Sequence, residues 1–424
     1  MPPVALIRTR LSAMMFLEYL VLGAWAPPLG GYLNGVLGFR GDQIGHVYAT
    51  IGLGAVVSPL LAGYVADRFF SAQRVLAALH VLGGGFLLWA VQQTGFAGMM
   101  TALLCHTLCY MPTLGLANAL AFRNIDDPNR FSRIAVWGTV GWIVAGLLVS
   151  FALGESQSPW FFYLAGGAEV VLGLYCLSLP RTPPQSAAAA GGDALGLGVF
   201  RLLKEPAFAV FALCALAICI PAGFYSTWGN AFLVETGRPN PTGLMTLSQC
   251  SEIAVMLVMP WFLARLGLKR VLVLGMAAWA VRFLCFASLS FPLTIAGLLV
   301  HGFCYCFVSV AGYIYVTRKA PPDMAAQAQS FIAFLTWGLG MLLGAQLAGR
   351  VGESYVLTGV TAVAESAAET AIKLHDWPPI WLWAAGLAAL VALVFWIAGR
   401  DVAVNERRLF MAGGVCKAQC AGEA

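Results

Sequence analysis

Polar side chains stranded in apolar runs are the residues of this chain best placed to do chemistry, because leaving them unpartnered inside a membrane is costly. Gln249 and Glu252 stand three apart in the stretch 243–264, and on a helix that spacing puts an amide and a carboxylate on one face. Such a pair can hold hydroxyls and the edge of a heterocycle together. An unpaired carboxylate near the centre of a membrane helix costs about 2.5–3.5 kcal/mol, so Glu252 needs a ligand or a partner. Thr139 and Trp142 repeat the spacing within 134–154. His301, Tyr305, Ser309 and Gly312 form a stripe at helical spacing within 292–316. Aromatic packing is the competing reading for Tyr305, and His301 is expected to be a satisfied polar contact near the outer leaflet. Glu18 and Glu169 are further acids inside apolar runs, and Arg282 is a candidate partner for a buried carboxylate, with a structural role as the competing reading. The five histidines (46, 80, 106, 301 and 375) fall on separate elements, and the cysteines show no metal-ligand spacing. No metal, no cofactor and no catalytic constellation is therefore expected.

The elements that must position these groups are membrane helices. Of 424 residues 60% are hydrophobic and only 10% charged, too little charged surface for a water-soluble protein of this size. A spanning helix needs roughly 20 apolar residues. Twelve stretches qualify: 12–37, 43–66, 74–93, 96–122, 134–154, 159–180, 206–233, 243–264, 270–289, 292–316, 325–349 and 378–399. The first has no small-residue cleavage site after it and is expected to remain as its own insertion signal. The expected fold is all-α and polytopic. It comprises a six-helix bundle over 1–180, a Pro/Ala/Gly-rich cytoplasmic linker over 181–203, and a second bundle with a cytoplasmic tail over 204–424. With both termini inside, nineteen Lys and Arg fall on the cytoplasmic face against Arg40, Arg238, Arg350 and Lys373 on the other. The net charge of +5 is thus a topology signal and calls for no nucleic-acid partner. Residues 352–374 carry no clear apolar stripe and are expected to form an outer loop with some helix.

Matching clusters follow the second and eighth spans: Gly63-Tyr-Val-Ala-Asp67-Arg68, and Arg265-Leu-Gly267-Leu-Lys269-Arg270. A short basic loop at those two places resembles the signature of the major facilitator superfamily, and implies that Asp67, Arg68 and Arg265 latch a conformation against neighbouring helix ends. A narrower resemblance runs through nearly the whole chain. Leu22-Gly23-Ala24-Trp25, Pro27-Pro28-Leu29-Gly30, Tyr110 to Leu116, Trp137 to Trp142, Gly229 to Leu233, Ser248 to Glu252, Trp279 to Arg282 and Asp376-Trp377 look like the bacterial nucleoside:proton symporter family.

That resemblance implies a secondary transporter working by alternating access in the bacterial inner membrane, as a monomer in the bilayer, with a nucleoside and protons as its partners. It places substrate contacts at Gln249, Glu252, Thr139 and Trp142, with the Trp142 ring stacked on the base, and extends them to Tyr225, Ser226, Tyr305 and Ser309. Several family positions differ here. Ala135 stands at an arginine position, Cys306 at an aspartate position tied to proton coupling, and Gly223 and Ser226 at an amide pair. A thiol with a reference pKa of about 8.5 does not replace a carboxylate as a proton carrier. Glu18, where the family has a glutamine, is the expected replacement, with Glu252 as the second coupling candidate. The alternative of the same class is a carrier of a related polar solute such as a sugar or nucleobase derivative. A membrane-embedded enzyme or a transporter-like sensor is the alternative from another class.

Overall fold

Proline and glycine punctuate the chain, and between them the apolar runs close into helices that satisfy every backbone group internally, as a bilayer demands. The computed structural model describes residues 4–125, 131–184, 197–321, 324–362 and 372–400. The first half is built from α1 (Val4–Gly35), α2 (Gly41–Arg68), α3 (Ala72–Ala90), α4 (Phe96–Arg123), α5 (Ser132–Ala152) and α6 (Trp160–Cys176). A short 3-10 stretch, Leu197–Lys204, precedes α7 (Pro206–Glu235), which starts on a proline whose missing N–H costs nothing there. The rod Pro241–Ala287 is broken at Gly267, whose φ of 76° a residue with a Cβ rarely adopts. It therefore contributes two spans, α8 (241–266) and α9 (268–287). The last three are α10 (Phe291–Lys319), α11 (Gln327–Ser354) and α12 (Trp377–Ala398). Twelve spans result, each within a few residues of its expected position apart from the start of α1. That helix begins at Val4 and takes Arg8 and Arg10 into its first turns.

Two of the spans are not uniform. α10 widens into a π turn at Cys306–Val310, and α11 does so at Phe334–Gly340. Such turns displace a face of the helix and occur often at functional sites. Of the segment 352–374, residues 363–371 lie outside the described residues, and the rest holds both helix and strand. α11 runs on to Ser354, and beyond it Val356–Ala362 pairs antiparallel with Ile372–His375 in a two-stranded hairpin. Val356 and Thr358 begin a β-branched pattern that favours a strand, and the missing apolar stripe is that of a period-two segment.

The two halves meet along α1 with α7, α2 with α11, and α5 with α8. At one end they are sealed. Asn34 Nδ2 donates to Glu235 Oε1 at 2.8 Å, Gly41 N to Glu353 Oε2 at 2.6 Å, and Thr242 N to Glu155 Oε2 at 3.1 Å. Glycine makes the approach possible: a Cβ on Gly45 would lie 2.6 Å from the Ala345 carbonyl oxygen and 2.9 Å from Gly349 Cα. Outward faces are apolar, with Leu257 78% and Ile397 73% exposed, a surface that lipid and not water covers.

Candidate functional site

α8 carries Gln249 and Glu252 on one face, as their spacing requires, and the half-buried pair lies beside α10. Glu252 Oε1 stands 2.9 Å from His301 Nε2 on α10. The other ring nitrogen of His301 receives the Arg282 guanidinium from α9. A guanidinium only donates, so Nδ1 must accept, and the neutral ring's single proton sits on Nε2 and points at Glu252. Arg282 is fully buried, whereas the side chains of His301 and Glu252 are 11% and 14% exposed. A fixed buried cation thus holds one imidazole tautomer, which holds one partly exposed carboxylate. Arg282 also lies 3.7 Å over the Tyr225 ring and donates to Ser248 Oγ at 3.4 Å. Gln249 Oε1 is buried with no hydrogen-bond partner among the described residues.

Thr139 and Trp142 come from the other half and are partly exposed on α5. Near the sealed end a Cβ on Gly243 would lie 2.7 Å from Ser150 Oγ, and one on Gly146 2.6 Å from Thr246 Cγ2. Extending that antiparallel register by one and two turns brings Trp142 level with Gln249 and Thr139 level with Glu252. The four residues named first from spacing alone therefore occupy one stratum, two on each side. Tyr19 belongs with them. It packs on Gly138 and lies within electrostatic reach of Tyr305 and Tyr313 across the gap.

The remaining expected contacts divide. Tyr305 and Ser309 are half-buried on α10, and the Tyr305 ring stacks on His301 with centroids 6.4 Å apart. Ser226 is half-buried on α7, its hydroxyl 3.5 Å from the Ala222 carbonyl oxygen. Tyr225 is turned into its own half under Arg282, so it supports the site from behind. Cys306 is fully buried, its thiol 3.5 Å from the Glu252 carbonyl oxygen, and it does not border the space. The side chain of Asp67 lies outside the described residues. Arg68 is exposed at the end of α2, and the Arg265 guanidinium sits 5.8 Å over the Trp261 ring.

Glu18 faces away from this stratum, into its own half. Its Oε2 is 3.0 Å from His80 Nε2 on α3, and His80 Nδ1 is 3.6 Å from Glu169 Oε1 on α6. Glu169 Oε2 is 3.2 Å from His106 Nδ1 on α4. Sequence reasoning missed His80, His106 and the role of His301. The available signal was that each is a lone titratable group in an apolar span. In the first half the acids Glu18 and Glu169 meet two of the three such imidazoles, His80 and His106.

Comparison with known proteins fits this geometry. A family profile described as nucleoside H+ symporter matches residues 6–403. The putative nucleoside transporter YegT of Escherichia coli (strain K12) is 38% identical, covering 96% of this chain and 99% of that protein. The nucleoside permease NupG of the same organism is 30% identical, covering 92% and 95%. The crystal structure of nucleoside transporter NupG superposes with a TM-score of 0.82 over 92% of this chain and 98% of that one, at 30% identity. A peptide transporter of the POT family, at 15% identity and a TM-score of 0.71, shares the fold.

Proposed function

This chain belongs to the nucleoside H+ symporter family and has the major facilitator fold, and we propose that it moves nucleosides across the bacterial inner membrane by alternating access between its halves. It is a proton-coupled nucleoside transporter of the multi-pass membrane class. The proposal concerns where the substrate lies and how the cycle runs. The nucleoside sits between the halves at the stratum of Gln249, Glu252, Thr139 and Trp142, with Tyr305, Ser309 and Ser226 at its margin and Tyr225 behind. The Trp142 ring stacks on the base. The unpartnered oxygen of Gln249 accepts a base N–H, and Glu252 accepts ribose hydroxyls, which charge-assisted hydrogen bonds suit. The proton is assigned to Glu18, with Glu252 held by His301 for substrate.

The observation that carries this reading is the Arg282–His301–Glu252 chain, which orients one partly exposed carboxylate. Termini on the cytoplasmic side put the sealed end, with Asn34, Glu155, Glu235 and Glu353, outside, so the conformation is inward-facing. The functional unit is one chain in the bilayer, with halves 1–180 and 204–424 rocking about the linker 181–203. Arg68 and Arg265, with Asp67, latch the opposite state.

Binding of uridine to the purified full chain tests the site. Glu252→Gln removes a charged acceptor worth about 1.5–3 kcal/mol, so affinity is expected to fall about 10- to 100-fold with folding retained. Unchanged affinity overturns the placement.

A further inference from the structure

In the first half, four fully buried titratable side chains from four helices form one line: Glu18 on α1, His80 on α3, Glu169 on α6 and His106 on α4. Around it, Thr113 Oγ1 donates to Glu18 Oε1 at 2.6 Å, and the Tyr110 hydroxyl to the Glu18 carbonyl oxygen at 2.5 Å. Cys109 of α4 and Cys176 of α6 also face the line. Glycine makes room for it, since a Cβ on Gly83 would lie 2.4 Å from Glu169 Oε1.

Hydrogen counting decides what the line can do. Both ring nitrogens of His80 face carboxylate oxygens, and a neutral imidazole carries only one proton. At 3.6 Å the approach of Nδ1 to Glu169 is electrostatic and not a hydrogen bond, and both contacts can tighten into bonds only when the Glu18–His80–Glu169 segment holds one proton more than a neutral ring between two ionised acids. That proton can sit on the ring or on either acid without changing the net charge. At the far end, the Gly83 carbonyl oxygen lies 3.2 Å from His106 Nδ1 and can only accept, so Nδ1 carries the hydrogen. His106 Nε2 is then a buried lone pair with no described partner, open to a further proton. Held with one extra proton the line carries one negative charge, and with two it is neutral, the state a low-dielectric interior favours. Among the described residues no three His, Cys, Asp or Glu donors converge as a metal would need.

We propose that the Glu18–His80–Glu169–His106 line is the site that holds the transported proton, located inside the first half and away from the substrate. The inference rests on the proton-coupled reading above and extends its single carboxylate to a four-member site. Loading adds one proton from water on one side, and unloading returns it to water on the other, with no other bond made or broken. The link to substrate is α1. Glu18 turns into the line while Tyr19, the next residue, faces the substrate stratum. Farther along the same helix, Gly30 packs directly against the Thr227 carbonyl oxygen of the other half. A charge change at Glu18 thus acts on the helix that both the substrate and the opposite half touch.

The test uses full-length protein in proteoliposomes and radiolabelled uridine. One proton per substrate and a gradient of one pH unit support about tenfold accumulation. In Glu169→Gln and His106→Gln, accumulation is expected to fall to about onefold, while uridine counterflow, which needs no driving force, stays within about twofold of wild type. Tenfold accumulation in both variants overturns the proposal, and so does loss of counterflow in step with accumulation in both, which is the signature of a merely structural cluster. His106→Gln keeps a donor for the Gly83 carbonyl and so remains decisive if Glu169→Gln fails to fold. If wild type shows no uridine counterflow, the substrate reading fails, and proton uptake by detergent-solubilised protein after a pH jump decides the line separately. The His106→Gln protein is expected to take up one proton fewer, and equal uptake overturns the assignment.

Discussion

His301 Nε2 stands 2.9 Å from Glu252 Oε1 while the opposite nitrogen of the same ring is held by Arg282. The imidazole is a spacer between a guanidinium, which does not deprotonate, and the carboxylate proposed to meet the substrate. It fixes the direction of Glu252 and shields it from a direct ion pair, which would leave the acid with less capacity for a ligand.

His301→Ala should accordingly weaken uridine binding without touching the substrate. The carboxylate loses its oriented donor, about 0.5–1.5 kcal/mol, or roughly 2- to 10-fold in affinity. His301→Gln, whose amide can donate to Glu252, is expected to recover most of it. Equilibrium binding on both variants checks the order, and equal losses would remove the orienting role.

Arg282→Met keeps the volume of the side chain and deletes its charge. It strips His301 Nδ1 of its donor and Tyr225 of the cation 3.7 Å above its ring. A cost of about 1–3 kcal/mol is expected, read as a lower Tm of the purified protein. Because Arg282 acts on Glu252 only through His301, the losses from Arg282→Met and Glu252→Gln should be less than additive in a double-mutant cycle of uridine binding. Full additivity would show the two to be independent.

At the sealed end, Gly45→Leu has no room between α2 and α11, where the Ala345 carbonyl oxygen lies 2.6 Å from the place of a Cβ. The variant should be unable to close that end, and transport should fall. A cysteine at the buried Asn34 position is the reporter. Its labelling by a membrane-impermeant maleimide in whole cells should rise at least about tenfold over the same cysteine with Gly45 intact. No change would mean that this end is not the outer gate.

Much of this was legible in the residues because a membrane helix announces itself. Length, apolar content and the glycines and prolines between runs placed all twelve spans, and the i, i+3 spacing of Gln249 with Glu252 and of Thr139 with Trp142 already gave their faces. What a single span cannot state is its neighbour. Glu18, His80, His106 and Glu169 come from four helices, and only packing brings them into one line. Likewise His301 is the satisfied polar contact expected of it, but only packing shows that its partners are Arg282 and Glu252. The strands Val356–Ala362 and Ile372–His375 went unread because a strand is unusual where every other described element is helical.

Cys306 is the residue whose setting the structure changes most. By resemblance it stands at a coupling aspartate, and a thiol there would be expected to border the water-filled space and react, with substrate slowing the reaction. Instead the π turn at Cys306–Val310 points it into the seam between α8 and α10, fully buried, with its sulfur 3.5 Å from the Glu252 carbonyl oxygen. Thiols react as thiolates, and this one is neither solvated nor beside a cation. A protein retaining Cys306 as its one cysteine should therefore resist small methanethiosulfonates in the inward-facing state, with or without uridine. Cys306→Ser should leave the pH dependence of uptake unchanged, since the proposed proton site lies in the other half. Rapid labelling that uridine blocks, or a shifted pH profile in the serine variant, would return Cys306 to the cavity wall and reopen the tenth span as the coupling helix.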